Sequence, residues 1–198
     1  MQNKEYFKDY IEAFLEQNSK LNLISKNDEK FLWEKHIFDS LAIEKFFKKY
    51  QFDGKNLLDF GTGGGFPAVP IALAYPKIHV TAMDSIRKKI NAITAIKEEL
   101  KIPNLIPLCG RVETLDEKFD LITSRAVANL GKIVEYAMPR LKKDGYFIAY
   151  KSVKAQEEIE EAKHVLKKYK AKVVDIIQYD LPLQENHTRN LICIKNDN

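Results

Sequence analysis

The stretch LLDFGTGGGFPAVPIALAYP, residues 57–76, constrains the fold more than any other part of the chain. An apolar run ends in Asp59, four of the five residues 61–65 are glycine, and an amphipathic run follows. Glycine loses more backbone freedom on ordering than any other residue, so this cluster is neither helix nor strand interior. The stretch reads as strand, loop and helix, with a loop that something approaches closely. Pro67 and Pro70 fall in the first helical turns, where a missing N–H costs little.

The alternation continues downstream. HVTAMD (79–84), NLIPLCG (104–110), FDLITS (119–124) and GYFIAYK (145–151) have the pattern of strands. Helical periodicity covers 85–101, about 130–142 and 154–169. KVVDIIQYD (172–180) and RNLICIK (189–195) are joined through Pro182 without a helix and are predicted to pair antiparallel. Short apolar strands alternating with helices imply a largely parallel sheet covered on both faces. Upstream, Phe7, Tyr10, Ile11, Phe14 and Leu15 lie at helical spacing within residues 4–16. A second helix is predicted over roughly 28–50, capped by Asn27 and Asp28. The expected fold is α/β and doubly wound, with residues 1–50 as a helical cap belonging to the same domain as 51–198.

A length of 198 residues suits one domain, and 45% hydrophobic residues suffice for its core. No apolar run approaches the roughly 18 residues of a membrane span. The start, MQNKEYFKDYIEAF, lacks the apolar segment of a signal peptide. Cys109 and Cys193 lie in strand-like runs without metal-ligand spacing, so reduced thiols and no metal are expected. These features predict a cytoplasmic protein. The net charge of +4 is unevenly spread. Residues 1–50 balance nine Lys with nine acidic residues, whereas 85–101 hold five basic and two acidic, and 151–172 seven Lys and four Glu. That excess predicts either a basic face for nucleic acid or two solvated helices.

In a doubly wound sheet, ligands sit outside the carboxyl ends of the strands. A dinucleotide fingerprint needs glycine where Phe66 stands, which argues against a nicotinamide-dependent oxidoreductase. A P-loop needs a lysine, and none occurs between Lys55 and Lys77. The residues instead spell D-x-G-x-G-x-G from Asp59 to Gly65, the pattern of S-adenosylmethionine-dependent methyltransferases with a Rossmann-like class I sheet. The Asp59 carboxylate suits a sulfonium ligand with an amino-acid tail and would repel a pyrophosphate. Asp84 closes the second strand, where an acid can accept from a ribose diol. Arg111, Val112 and Glu113 follow the third strand, near the expected adenine.

After the fourth strand, TSRAVAN (123–129) lacks the [DN]-P-P-[YF] clamp of exocyclic-amine methyltransferases, and neither cysteine is placed for covalent attack. The acceptor is therefore expected to bring its own lone pair, as a ring nitrogen does. Arg125 is the candidate to engage the acceptor base or a phosphate. Arg87, Lys88 and Lys89 are candidate phosphate contacts. Phe66 can stack on a base or pack in the interior, and Trp33 is read as core.

LNLIS (21–25), KHIFDSL (35–41), LLDFGTGGGFPAVP (57–70), MDS (83–85), GRVE (110–113), SRA (124–126) and RNLICIK (189–195) carry a resemblance. Over 21–195 the chain resembles the glucose-inhibited division protein B family of small-subunit ribosomal RNA guanine-N(7) methyltransferases. KHIFDSL and SRA, with the FPAVP continuation, make the resemblance specific. The chain departs from the family pattern at Lys35, Gly64, Ala68, Ser152 and Asn190; Lys35 keeps the charge of an arginine but loses its bidentate fork.

The resemblance implies S-adenosylmethionine held among Asp59, Gly61, Thr62, Gly63, Gly65, Phe66, Asp84, Ser85, Val112, Glu113 and Arg125. It implies Arg111, Arg87, Lys88, Lys151 and Arg189 on RNA, and Arg125, His36 and Asn22 at the catalytic centre. Asp39 shares a helix face with His36 and is expected to orient it. The implied reaction methylates guanine nitrogen-7 in 16S ribosomal RNA, naked or within a particle, by a monomer without metal or membrane. The competing readings are a methyltransferase for a small molecule or a protein side chain, and a non-enzymatic ribosome-binding protein on the same scaffold.

Overall fold

Leu57 and Leu58 are neighbours in sequence and belong to opposite hydrophobic cores, as expected of a strand buried on both sides. They lie in β1 (Asn56–Phe60) of a computed structural model that describes residues 3–185 and 187–197. Beside β1 run β2 (His79–Asp84), β3 (Leu105–Cys109), β4 (Phe119–Arg125) and β5 (Leu141–Lys151). The sheet is completed by β6 (Ala171–Leu181) and β7 (His187–Asn196), in the order β3-β2-β1-β4-β5-β7-β6. β1 to β5 pair in parallel, and β7 runs antiparallel to both its neighbours. The order reverses between β1 and β4, the place where a doubly wound sheet opens a crevice.

One core lies under α1 (Lys8–Leu21), α5 (Ala68–Ala74) and α6 (Arg87–Glu99). The other lies under α7 (Leu130–Ala137) and α8 (Ala155–Lys168). At the β6 edge alternate residues face solvent, Val174 and Ile176 among them. No helix among the described residues is long and apolar enough to cross a membrane.

The region expected as one helix over 28–50 is broken. It forms α2 (Lys26–Glu29), a π-helical segment Leu32–Phe38, α3 (Asp39–Leu41) and α4 (Glu44–Tyr50). Its cap is Ser25, not Asn27 or Asp28. The Ser25 hydroxyl accepts from the Asp28 amide at 3.2 Å and donates to the Asp28 carboxylate at 2.9 Å, a reciprocal arrangement. Trp33 packs against the core, its ring 5.8 Å from that of Phe7. Phe7, Phe14, Ile37, Leu41 and Phe46 are fully buried in the core shared with β1 and β2. Each contributes roughly 1.5–3 kcal/mol, so together they rival the about 5–15 kcal/mol net stability of a domain. The N-terminal helices are thus expected to melt with the sheet.

Gly65 holds the turn from the loop into α5. Its φ is +94°, and a β-carbon there would lie 2.7 Å from Val69 Cγ2. Gly65→Ala combines a forbidden backbone region with a stiff β-branched neighbour. It should cost about 2 kcal/mol or more, measured as a lower urea midpoint at unchanged slope.

Candidate cofactor and acceptor site

Asp84, the last residue of β2, organises the glycine loop. One carboxylate oxygen accepts from the Gly63 amide at 2.9 Å, and the other accepts from the Ile86 amide at 2.9 Å, ahead of α6. The Thr62 amide donates to the Met83 carbonyl at 2.9 Å. Gly61 has φ +68°, and a β-carbon on it would meet Val127 Cγ2 at 2.3 Å. The loop is therefore pressed against the segment that follows β4.

A cavity of about 460 Å³ opens between these strand ends. Phe60, Met83, Val112 and Tyr136 give it apolar walls, and Gly61, Asp84, Ser85, Arg111 and Glu113 join them. Six expected site residues thus meet in one place. Others do not reach it. Asp59 is fully buried, and its carboxylate accepts from the Thr123 hydroxyl at 2.9 Å inside the sheet. Burial pushes the Asp59 carboxyl up to about 7, against the lowering effect of that hydrogen bond. Thr62 and Gly65 are buried behind the loop, and Gly63 contributes its amide to Asp84. Phe66 is also buried, its ring 5.0 Å from both Phe14 and His36, so it has no face free for a base.

A second cavity, of about 730 Å³, lies across Ala126, which lines both. Arg125 ends β4 on its floor. Its guanidinium donates to Asp39 at 2.9 Å and to the Lys35 carbonyl at 3.3 Å. Its other terminal nitrogen lies 3.1 Å from His36 Nδ1, and its carbon stands 5.2 Å over the Phe66 ring. Arg can only donate, so His36 Nδ1 accepts and the proton of the neutral ring sits on Nε2. Burial, with Arg125 second, lowers the His36 imidazolium to about 4. Asp39 is buried and does not contact His36 as expected. It takes Arg125 on one oxygen and the Tyr179 hydroxyl on the other at 2.6 Å, with Arg189 at 3.8 Å. Arg125 therefore stands between the acid and the imidazole.

Two further expectations are corrected. Asn22 is the exposed left-handed cap of α1 (φ 49°) and lines neither cavity. Lys151 lines the second cavity, but its ammonium spends two of its three donors inside the protein, on the Ala128 carbonyl at 2.8 Å and on Glu158 at 2.6 Å. Arg189 does line the second cavity, and Arg87 and Lys88 are exposed at the start of α6. Tyr136, Tyr150, Tyr179, Ala126 and Val127 were not anticipated. Only Ala126 and Val127 had a local signal, as the residues directly after a functional strand end.

The parallel sheet with its reversed β7, and the glycine loop at its crevice, define a class I methyltransferase fold. It is shared with the N-methyltransferase NodS from Bradyrhizobium japonicum in complex with S-adenosyl-L-homocysteine (TM-score 0.63, 14% identity, 94% of this chain and 99% of that one). An S-adenosylmethionine-dependent O-methyltransferase from Thermotoga maritima has it too (TM-score 0.57, 16% identity, 80% and 64%). The family model for rRNA small subunit methyltransferase G matches residues 3–195, and this chain belongs to that family. Ribosomal RNA small subunit methyltransferase G of Lachnoclostridium phytofermentans is 40% identical over 198 residues, 96% of this chain and 80% of that one. The Bacillus licheniformis protein of the same name is 38% identical over 199 residues, 96% and 81%.

The folded chain keeps a proton on Asp59 up to about pH 7, whereas an unfolded carboxyl releases it near 4. Wild-type stability attributable to this group therefore falls as pH rises through that window. Asp59→Asn removes the cost of ionisation and should gain on wild type from about pH 4.5 to about pH 8, by on the order of 3 kcal/mol. Urea unfolding of both proteins at the two pH values measures it.

Proposed function

We propose that the chain transfers the methyl group of S-adenosylmethionine to nitrogen-7 of a guanine in 16S ribosomal RNA. Family membership supports the RNA substrate, and the class I fold supports the cofactor. The 460 Å³ cavity fits that cofactor: Phe60, Met83 and Val112 suit a purine. The Asp84 carboxylate has about four lone-pair sites and can accept from a diol beyond its two backbone bonds. When bound, S-adenosylmethionine supplies an electrophilic methyl group on a cationic sulfur.

The observation that carries the acceptor is the state of His36 and Arg125 on the floor of the adjoining cavity. The only unprotonated nitrogen of His36 accepts from Arg125, and Asp39 is buried behind the Arg125 guanidinium and the Tyr179 hydroxyl, so neither presents a base to the cavity. Guanine nitrogen-7 carries a lone pair and no proton, so it needs orientation and no base. Arg125 has five N–H groups, three of them committed, which leaves two to hold the guanine carbonyl edge or a phosphate. Arg189 and Arg111 extend basic character along the two cavities. The target base has to leave its stack to reach them.

Labelled S-adenosylmethionine and 16S rRNA from a strain lacking the gene, naked and in the small subunit, test the reading. Labelled 7-methylguanosine is expected; label in another nucleoside, or none, overturns the atom or the substrate. Arg125→Lys keeps the charge beside Asp39 but cannot also reach His36 and the ligand. It should lower kcat/KM about tenfold or more while calorimetric affinity for S-adenosylhomocysteine stays within about threefold.

A further inference from the structure

Residues 126–130 carry the chain from Arg125 to α7 along the boundary between the two cavities. Ala126 has a left-handed φ of 56°. Such a conformation is unfavourable for a non-glycine residue and persists only where its surroundings hold it. Val127 lies directly on Gly61, though it is 41% exposed. On the upstream side the segment is held by Arg125, tied to Asp39 and the Lys35 carbonyl. On the downstream side it is held by Lys151, at the end of β5, and Glu158, on α8. The Lys151 ammonium donates to the Ala128 carbonyl at 2.8 Å and to Glu158 Oε2 at 2.6 Å. The same Glu158 oxygen accepts from the Leu130 amide at 2.9 Å. The Lys151 side chain is only 10% exposed.

We propose that Lys151 and Glu158 are positioning residues for methyl transfer. They clasp residues 128–130 and so set where Ala126 and Val127 stand between the cofactor cavity and the acceptor cavity. The inference rests on the function proposed above, because the boundary matters only if a group crosses it. Glu158 serves two donors at once, an ammonium and a backbone amide, and a lysine in its place could accept from neither. A plain ion pair needs only opposite charges. This difference separates a clasp from a surface ion pair.

The test uses the full chain with Glu158→Ala, Glu158→Gln, Lys151→Met and the exchanged pair Lys151→Glu with Glu158→Lys. Rates with 16S rRNA, calorimetric affinity for S-adenosylhomocysteine and amide hydrogen exchange at 126–130 are read for each. Glu158→Ala is expected to lower kcat about tenfold or more, since small misplacements are costly in a proximity-driven reaction, with the rRNA KM within about twofold. Glu158→Gln, which keeps an acceptor for the Leu130 amide, should recover most of the rate. The exchanged pair should not, and exchange at Leu130 should accelerate in Glu158→Ala.

Restored rate in the exchanged pair overturns the proposal. So does a Lys151→Met protein with normal kcat, raised rRNA KM and a shallower salt dependence, which would make Lys151 a phosphate contact. If Glu158→Ala does not fold, Glu158→Gln and Lys151→Met decide. If the wild type methylates no rRNA, the functional reading fails alone. The clasp is then judged by Leu130 exchange, and unchanged exchange in Glu158→Ala or Lys151→Met overturns it.

Discussion

The Asp39–Arg125 pair ties the N-terminal helices to the carboxyl end of the sheet, and the geometry of both cavities depends on it. Asp39 is buried with Arg125 at 2.9 Å, the Tyr179 hydroxyl at 2.6 Å and Arg189 at 3.8 Å, so α3, β4, β6 and β7 converge on one carboxylate. Removing one partner of a buried pair strands the other charge at a cost of about 3–5 kcal/mol. Only a fully bonded geometry offsets the desolvation, which makes the arrangement discrete. The same guanidinium lies over Phe66, which continues the glycine loop into α5, and bonds His36 from the π-helical segment. Packed side chains thereby run without interruption from the glycine loop to the floor of the larger cavity.

Burial disfavours the charged forms of two groups of this centre. The Asp59 carboxyl is pushed up to about 7 and the His36 imidazolium down to about 4. The consequences for stability have opposite signs. An unfolded histidine takes a proton below about 6.5, while folded His36 refuses it until about 4, so this contribution grows as pH rises between those values. The Asp59 contribution falls over much of the same range. The two partly cancel, and Asp59→Asn exposes the histidine part alone.

The parallel strands were legible to within a residue or two at most ends, because runs covered on both faces are continuously apolar and bounded by turns. NLLDF and HVTAMD coincide with β1 and β2. β5 begins earlier, at Leu141, than the apolar run from Gly145 suggests. The N-terminal region was less legible because apolar periodicity runs unbroken through 32–47, while the backbone changes winding at Leu32–Phe38. In the site, Gly61, Asp84 and Ser85 sit at or beside a strand end and Val112 and Glu113 in the short turn after β3, so their place at the cavity follows from backbone position. Asp59, Thr62 and Phe66 occupy the same motif but point inward, and motif spacing does not encode that direction. The resemblance implies Lys151 on RNA, and its contacts with Ala128 and Glu158 are not legible in the sequence because tertiary packing sets them. Tyr179 reaches Asp39 across 140 residues of sequence, and no local pattern announces such a contact.

In the proposed reaction an arginine beside the methyl acceptor looks unfavourable at first, because methylation of guanine nitrogen-7 would make the base cationic. Two unit charges a few ångströms apart in a partly buried site interact by several kcal/mol, enough to slow the transfer by orders of magnitude. The Asp39 carboxylate at 2.9 Å changes that account. The pair carries no net charge, yet the guanidinium keeps two unspent N–H donors in a fixed plane. It can grip a carbonyl or a phosphate without opposing the charge that develops on the ring. Arg189 leans on the same carboxylate from 3.8 Å and is more exposed, so it suits the RNA backbone, where a net positive charge is an advantage. The two arginines share one acid and differ in burial, and under the proposed function that difference would separate orientation of the base from attraction of the chain that carries it.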